Sequence, residues 1–129
     1  GPGLYRIAPT TLADVRDPLV SKVLRFIAQH VKDRFTMPEL ARATKASVTT
    51  LTEHFRAATG ETPLQALRRM RLGKARALIA LGMPLDVIAE ETGFSDAFHL
   101  SREFKRHHGM SPSAYRAKTQ AAVRYHGGR

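Results

Sequence analysis

Apolar residues recur along the chain at the three- and four-residue spacing of one helix face. The clearest run follows Asp17-Pro18, an N-cap residue and a first-turn proline, and comprises Val20, Val23, Leu24, Ile27 and Val31. It predicts a first helix over residues 18–34. No stretch combines strict apolar–polar alternation with β-branched enrichment, so we expect no strand. The pattern therefore indicates an all-α fold.

Capping residues and glycines predict six further helices. Thr36 and Glu39 form a capping box before a short helix over 37–44. The next five helices start at Ser47, Thr62-Pro63, Pro84, Ser95 and Ser111-Pro112, and Gly60, Gly82, Gly93 and Gly109 mark the ends of the first four of them. The last helix should end near residue 118. The apolar positions of the third to sixth helices are Val48, Leu51, Phe55, Leu64, Leu67, Ala75, Leu78, Leu85, Ile88, Ala89, Phe98, Leu100 and Phe104.

The sequence also repeats itself. Leu40-Ala41 and Ser47 are matched 48 residues later by Ile88-Ala89 and Ser95, whereas Leu51, Phe55, Gly60 and Pro63 recur 49 residues later, as Leu100, Phe104, Gly109 and Pro112. The second copy thus carries one extra residue, which we place near the start of its longer helix. Each copy is a short helix, a tight turn and a longer helix, the pattern of a helix-turn-helix. In the first turn Lys45 must adopt a left-handed conformation or alter the turn, whereas the second has Gly93.

The net charge of +10 and the lack of cysteine narrow the function. Without cysteine there is no disulfide, thiolate zinc site or cysteine nucleophile. The positive excess indicates an anionic partner such as nucleic acid. It is concentrated between the two copies, where residues 63–81 include five basic side chains and no acid. A helix of that length spans about 28 Å, close to the roughly 34 Å between successive major-groove faces of DNA.

These features divide the chain into five segments. Residues 1–17 hold an apparent cloning scar, Gly1-Pro2-Gly3, and an N-terminal extension. Residues 18–62 and 82–118 are the two helix-turn-helix subdomains, 63–81 is a linker helix, and 119–129 is a basic tail. No run approaches the roughly 20 apolar residues of a membrane span, so we expect a cytoplasmic protein with no membrane partner.

The second copy contains a specific motif. It runs Ile88-Ala89-x-x-Thr92-Gly93-Phe94-Ser95-Asp96-x-x-x-Leu100-Ser101-Arg102-x-Phe104-Lys105, followed by Gly109-x-Ser111-Pro112-x-x-Tyr115-Arg116. This motif closely resembles the signature of AraC/XylS-type transcriptional regulators, and residues 40–63 with Arg71-Leu72-x-x-Ala75 resemble the family's first repeat and linker helix. The resemblance implies seven helices in two helix-turn-helix subdomains joined by a long helix.

The resemblance also implies a function. We expect sequence-specific binding of double-stranded promoter DNA by a bacterial, nucleoid-associated regulator, with recognition helices 47–59 and 95–108 in successive major grooves. RNA polymerase is a further candidate partner. Many family members carry an effector or dimerisation domain N-terminal to this unit, which residues 1–17 cannot form. Sequence-independent architectural DNA binding is the alternative, because it needs charge and little base recognition.

Positions matched to the family's recognition helices give the candidate DNA contacts. The base-reading candidates are Thr49, Thr50, Thr52, Glu53, Ala97, His99, Ser101 and Arg102. Arg102 is the strongest, because a guanidinium can donate two hydrogen bonds to guanine O6 and N7. The candidates for phosphate contact are Thr36, Ser47, Arg56, Arg68, Arg69, Lys74, Arg76, Ser95, Lys105, Arg106 and Ser111. The first recognition helix is nearly neutral, so we expect it to contribute less affinity than the second.

An enzyme has little support in the sequence. There is no His-Glu-x-x-His motif and no phosphate-binding loop, and the adjacent His107 and His108 cannot share a helix face. We expect no catalytic residue, no metal site and no cofactor. The common RNA-binding modules need sheet aromatics or a Gly-x-x-Gly loop, and neither is visible.

Overall fold

The computed structural model describes residues 16–127, which form seven helices and no strand. The helices are α1 (Pro18–Gln29), α2 (Met37–Ala43), α3 (Val48–Thr59), α4 (Pro63–Ala80), α5 (Leu85–Glu91), α6 (Ala97–His108) and α7 (Pro112–Gly127). The predicted all-α fold is confirmed. None of these helices is both long and apolar enough to cross a bilayer. The chain divides into two compact units, with the boundary between Arg69 and Met70 inside α4.

The first unit is built on α1, which packs against α2 and α3. All five apolar residues predicted to face the core from the first helical run are buried. Leu40 and Ala41 of α2 and Leu51 and Phe55 of α3 are buried too, with Ala66 and Leu67 from the start of α4. The unit therefore has its own apolar core, and α3 contributes only one face to it.

The second unit has a separate core formed by α4, α5 and α6. Its buried members are Leu72, Ala75, Ile79, Ile88, Ala89, Phe94, Leu100 and Phe104. Arg116 of α7 donates hydrogen bonds to the carbonyl oxygens of Ile79 (3.0 Å from Nε) and Met83. The last carbonyls of a helix lack donors within the helix, so Arg116 satisfies one such group at the end of α4.

The two turns repeat one hydrogen-bonding pattern at an offset of 48 residues. The buried Thr44 and Thr92 hydroxyls donate to the carbonyls of Leu40 and Ile88, at 2.9 and 2.6 Å. The next residues, Lys45 and Gly93, have φ of 58° and 80°. Of the two possibilities predicted for Lys45, a left-handed conformation or an altered turn, the structure has the left-handed conformation. The repeat is thus a repeat of structure as well as of sequence.

The N-cap of α6 corrects the sequence prediction. The cap is Asp96, whose Oδ1 accepts from the His99 amide at 2.7 Å, and not Ser95. The matching cap of α3 is Ser47, which accepts from the Thr50 amide at 3.1 Å. The caps therefore lie 49 residues apart, while the turns lie 48 apart. The extra residue of the second copy is Ser95, in the turn before the helix. Aspartate caps as well as serine does, which explains the error.

Three residues predicted to be apolar core positions are exposed instead. Val48 is 38% exposed, Leu64 53% and Phe98 80%. Val48 and Leu64 lie in the first turns of α3 and α4, one turn before the first leucines that the core buries. Phe98 is two residues from the buried Leu100, so it points about 200° away around the helix.

Two helix ends also differ from the prediction. Helix α1 ends at Gln29, and not near residue 34, because its C-cap His30 leaves the helical conformation (φ −118°, ψ 28°) and its ring Nδ1 donates to the Phe26 carbonyl at 2.8 Å. Helix α7 continues past Lys118 to Gly127, so residues 119–127 are helical and not a tail. No proline or glycine interrupts the chain between Lys118 and Gly127, which leaves the helix free to continue.

Candidate nucleic-acid interface

The exposed face of α6 carries three side chains at i, i+4 and i+7. These are Phe98, Arg102 and Lys105, and all three are exposed. The opposite face is anchored by Leu100 and Phe104, which are fully buried. The face therefore passes from an apolar ring at the N-terminal end to a guanidinium and then to an ammonium group.

Arg102 is free to meet a ligand. Its side chain makes no ion pair or hydrogen bond with the residues that the structure describes. The neighbouring predicted base readers Ala97, His99 and Ser101 are half-buried. His99 is held in place, because its Nδ1 lies 3.2 Å from the Ser95 hydroxyl and its ring packs edge-on against Phe94. Arg102 is thus the most accessible polar group among the four predicted base readers of α6.

Helix α3 presents a face in the same register. Thr49, Glu53 and Arg56 are exposed and lie 49 residues before Phe98, Arg102 and Lys105. Thr50 is exposed and its hydroxyl accepts from Ser47 at 2.9 Å, while Thr52 is half-buried. The two faces share their geometry but not their chemistry, since a carboxylate in α3 stands where α6 has a guanidinium.

Phe98 is the functional candidate that sequence reasoning missed. It was assigned to the core with Leu100 and Phe104, although its helical phase differs from theirs. A signal was available, because Phe98 is one helical turn from Arg102, the strongest predicted base reader. Helical phase therefore predicts that Phe98 lies on the exposed face with Arg102 and not in the core.

The basic side chains of α4 are not equally available. Arg69 is held by Glu61, with its Nη2 3.0 Å and its Nε 3.1 Å from Oε1. Arg76 donates from Nε to the Tyr115 hydroxyl at 3.0 Å and lies 5.4 Å from that ring's centroid. The hydrogen bond from Arg76 lowers the pKa of the Tyr115 hydroxyl below its ordinary value. Arg68 and Lys74 are exposed. Residues 63–81 contain no acid, but Arg69 within them is paired with Glu61, which precedes the helix.

The predicted phosphate contacts at helix starts also differ among themselves. The hydroxyl oxygens of Thr36, Ser47 and Ser111 each accept a hydrogen bond from the backbone N–H three residues later in the chain, at 3.2, 3.1 and 3.1 Å. Ser95 is exposed but caps no helix. The Thr36 hydroxyl lies 3.1 Å from the Glu39 carboxylate, and a neighbouring negative charge disfavours phosphate there. Arg106 is exposed and lies 3.4 Å from Glu103.

One contact ties α3 to the start of α1. His54 Nδ1 donates to the Asp17 carboxylate at 2.8 Å, and the same carboxylate caps α1 by accepting from the Leu19 amide at 2.9 Å. The hydrogen bond from His54 lowers the pKa of Asp17 below its usual value, with further help from the amides of Leu19 and Val20 and against the effect of burial. Asp17 therefore favours its charged form in the folded chain.

Comparison with known proteins identifies the family. A helix-turn-helix domain family matches residues 40–118. The DNA-binding domain of AdpA, a global transcriptional factor solved in complex with a target DNA, is 33% identical, with a TM-score of 0.72 over 86% of this chain and 96% of that one. A putative AraC-like transcription regulator of Streptomyces antibioticus is 39% identical over 81% of this chain and 35% of its own length. The chain belongs to the AraC family of helix-turn-helix domains.

A second solved structure has the same fold. The C-terminal domain of AraT, a response regulator of Geobacillus stearothermophilus, has a TM-score of 0.75 and 26% identity, over 79% of this chain and 86% of that one. The chain spans about a third of the length of the curated relatives it matches. Membership in the AraC family supports sequence-specific DNA binding in transcription regulation. The family is one of regulator DNA-binding domains and not a class of enzymes.

Proposed function

We propose that this AraC-type domain recognises a bipartite, asymmetric promoter site, with α3 and α6 in successive major grooves. The observation that carries the proposal is the shared register of the two exposed faces. Each helix turns one continuous stripe, which begins in its first turn, away from its core, and the N-terminal residues of a recognition helix are those that contact base edges. Two equivalent faces with different side chains favour two different half-sites.

The chemistry of the exposed side chains suggests which base each would contact. Arg102 would donate two hydrogen bonds to guanine O6 and N7 in the α6 half-site. Glu53, at the same register in α3, would accept from the amino group of cytosine, and Thr49 and Thr52 would offer methyl or hydroxyl groups. Thr50, Ala97, His99 and Ser101 complete the proposed reading set. Since α3 has one cation and one carboxylate on this face, we propose that it contributes less affinity than α6.

Phosphate contacts would come from the exposed cations. Lys74, Arg68, Arg56 and Lys105 are exposed and carry the proposal best, while Arg106 is exposed but lies 3.4 Å from Glu103. Arg69 and Arg76 would contribute while keeping their partners, Glu61 and Tyr115. Ser47 and Ser111 would add backbone N–H groups at the starts of α3 and α7. Thr36 and Ser95 are the weakest members of this set.

RNA polymerase and location at the bacterial nucleoid belong to the same proposal, since a promoter-bound regulator acts there. The alternative is an architectural protein that binds any duplex through charge and DNA deformation. The exposed guanidinium of Arg102 in the N-terminal half of α6 favours base recognition. Its two parallel N–H donors suit one base edge, whereas a protein that binds DNA through charge alone needs no such directed donors.

Selection of bound sequences from random duplex DNA, at a stated salt concentration, tests the proposal. We expect a two-part motif whose halves lie about one helical turn apart, and loss of a guanine preference in one half with the Arg102→Ala variant. Failure of the unmodified chain to enrich any motif would overturn the proposed function and favour the architectural alternative.

A further inference from the structure

Phe98 is a large apolar side chain that the fold does not use. It is the second residue of α6 and is 80% exposed, whereas Phe55, Phe94 and Phe104 are buried. Its helix gains nothing from the ring, since the stripe that packs on the second unit's core runs through Leu100 and Phe104. A ring so placed is available for a ligand.

The surroundings of the ring favour DNA as that ligand. Phe98 stands one turn before Arg102 and two turns before Lys105, so its face is otherwise polar and cationic. A protein partner with an apolar groove would have to cover these two charges, whereas a DNA groove complements them. Side chains that wedge between base steps do so from the minor groove, whereas a recognition helix enters the major groove.

The chemistry of the ring selects one base. A phenyl group has no hydrogen-bond donor or acceptor for base edges, and the apolar feature of the major groove is the C5-methyl group of thymine. We propose that Phe98 reads a thymine by covering this methyl group. The proposal rests on the proposed function, which places α6 in a major groove.

The position of that thymine follows from the helix. Phe98 and Arg102 are separated by about 6 Å along α6 at 1.5 Å per residue, and successive base pairs are about 3.4 Å apart along the duplex. The thymine therefore lies within about two base pairs of the guanine that Arg102 contacts. Thr49 holds the same register in α3, and its methyl group would meet a separate thymine in the other half-site.

Deoxyuridine removes only the methyl group and provides the test. Each thymine of a selected site is replaced singly by deoxyuridine, and the dissociation constant is measured for the unmodified chain and for Phe98→Ala. We expect one replacement near the Arg102 guanine to weaken binding of the unmodified chain about 3- to 10-fold, the scale of one methyl group and the ring surface that it covers. Phe98→Ala should bind the thymine and uracil duplexes equally well.

Two variants control the result. Phe98→Leu retains an apolar side chain and should retain part of the thymine preference. Thr49→Ala should leave the thymine-to-uracil ratio at the Phe98 position unchanged. Because Phe98 is exposed, circular dichroism should show that all three variants are folded, so that a loss of binding is a loss of contact.

Three outcomes would contradict the inference. If Phe98→Ala keeps the thymine-to-uracil ratio of the unmodified chain at every position, Phe98 does not contact a methyl group. If it weakens the selected and scrambled duplexes equally, Phe98 has no part in specificity. If the unmodified chain fails to discriminate any site, the proposed function fails and this inference with it. If binding is specific but no uracil replacement has an effect that depends on Phe98, the inference alone is overturned.

Discussion

The Asp17 carboxylate accepts a hydrogen bond from His54 Nδ1 at 2.8 Å, which joins the N-cap of α1 to the middle of α3. The two residues lie 37 positions apart in the sequence. One carboxylate thus satisfies the first amides of α1 and positions α3 on it.

This contact predicts a pH dependence of stability. The pKa of Asp17 is lowered in the folded chain from its ordinary value of 3.8, chiefly by the hydrogen bond from His54. Its contribution is therefore complete above about pH 4 and is lost as the pH falls through the folded pKa. We expect Asp17→Asn, which retains a capping side chain, to lower the free energy of unfolding by about 0.5–1 kcal/mol at pH 6. Urea denaturation at pH 6 and pH 3 measures it; an equal difference at both values contradicts the account.

Substitution of Arg102 should reduce the specificity of DNA binding rather than the general affinity for DNA. Arg102→Ala should weaken binding to a selected site about 10- to 100-fold, the range of one bidentate contact to guanine. Binding to a scrambled duplex at the same salt concentration should change little. Arg102→Lys should recover only part of the loss, because an ammonium group lacks the planar fork. A larger loss from Thr49→Ala and Thr52→Ala than from Arg102→Ala would show that α3, and not α6, dominates recognition.

The basic residues of α4 predict two different salt dependences. Lys74 is exposed, so Lys74→Ala should reduce the slope of log affinity against log salt by about one and weaken all duplexes alike. Arg69 already neutralises Glu61 at 3.0 Å, so Arg69→Ala should change the slope less. The slopes are measured by titrating DNA binding between about 50 and 200 mM salt. A larger change for Arg69→Ala would mean that the ion pair opens on DNA.

Substitution of the left-handed residue is expected to have different effects on stability in the two turns. Gly93→Ala should destabilise the chain by about 1 kcal/mol, because a Cβ disfavours φ near 80°. Lys45→Gly should be neutral or slightly stabilising, since relief of a strained φ of 58° is offset by the larger entropy of glycine in the unfolded chain. Thermal unfolding of both variants checks the pair. Strong destabilisation by Lys45→Gly would mean that the lysine side chain stabilises its turn.

The order and type of the helices were predictable because they follow from local chemistry. Each predicted helix exists, and the buried Leu51, Phe55, Leu100 and Phe104 follow from spacing alone. The cap of α6 was misplaced because Ser95 and Asp96 are both good caps, and only backbone geometry chooses between them. The end of α1 was not predicted because no proline or glycine marks it, and α7 continues past Lys118 because no proline or glycine occurs before Gly127.

The site was less predictable than the fold. Exposure of Arg102 follows from helical phase, but the pairing of Arg69 with Glu61 joins residues eight positions apart across a helix start. The contact of His54 with Asp17 depends on how α3 packs on α1. The hydrophobicity of Phe98 predicts a core position, whereas its helical phase places it on the exposed face. Spacing thus predicts which face a residue occupies, whereas partners across elements need the packed structure.

The most direct test of base recognition is a competition titration at physiological salt between a selected duplex and a scrambled duplex of equal length and composition. The account predicts that the selected duplex binds at least about 10³-fold more tightly, as specific DNA-binding proteins do. Affinities within about tenfold of each other would contradict it and would show that charge alone holds this chain on DNA.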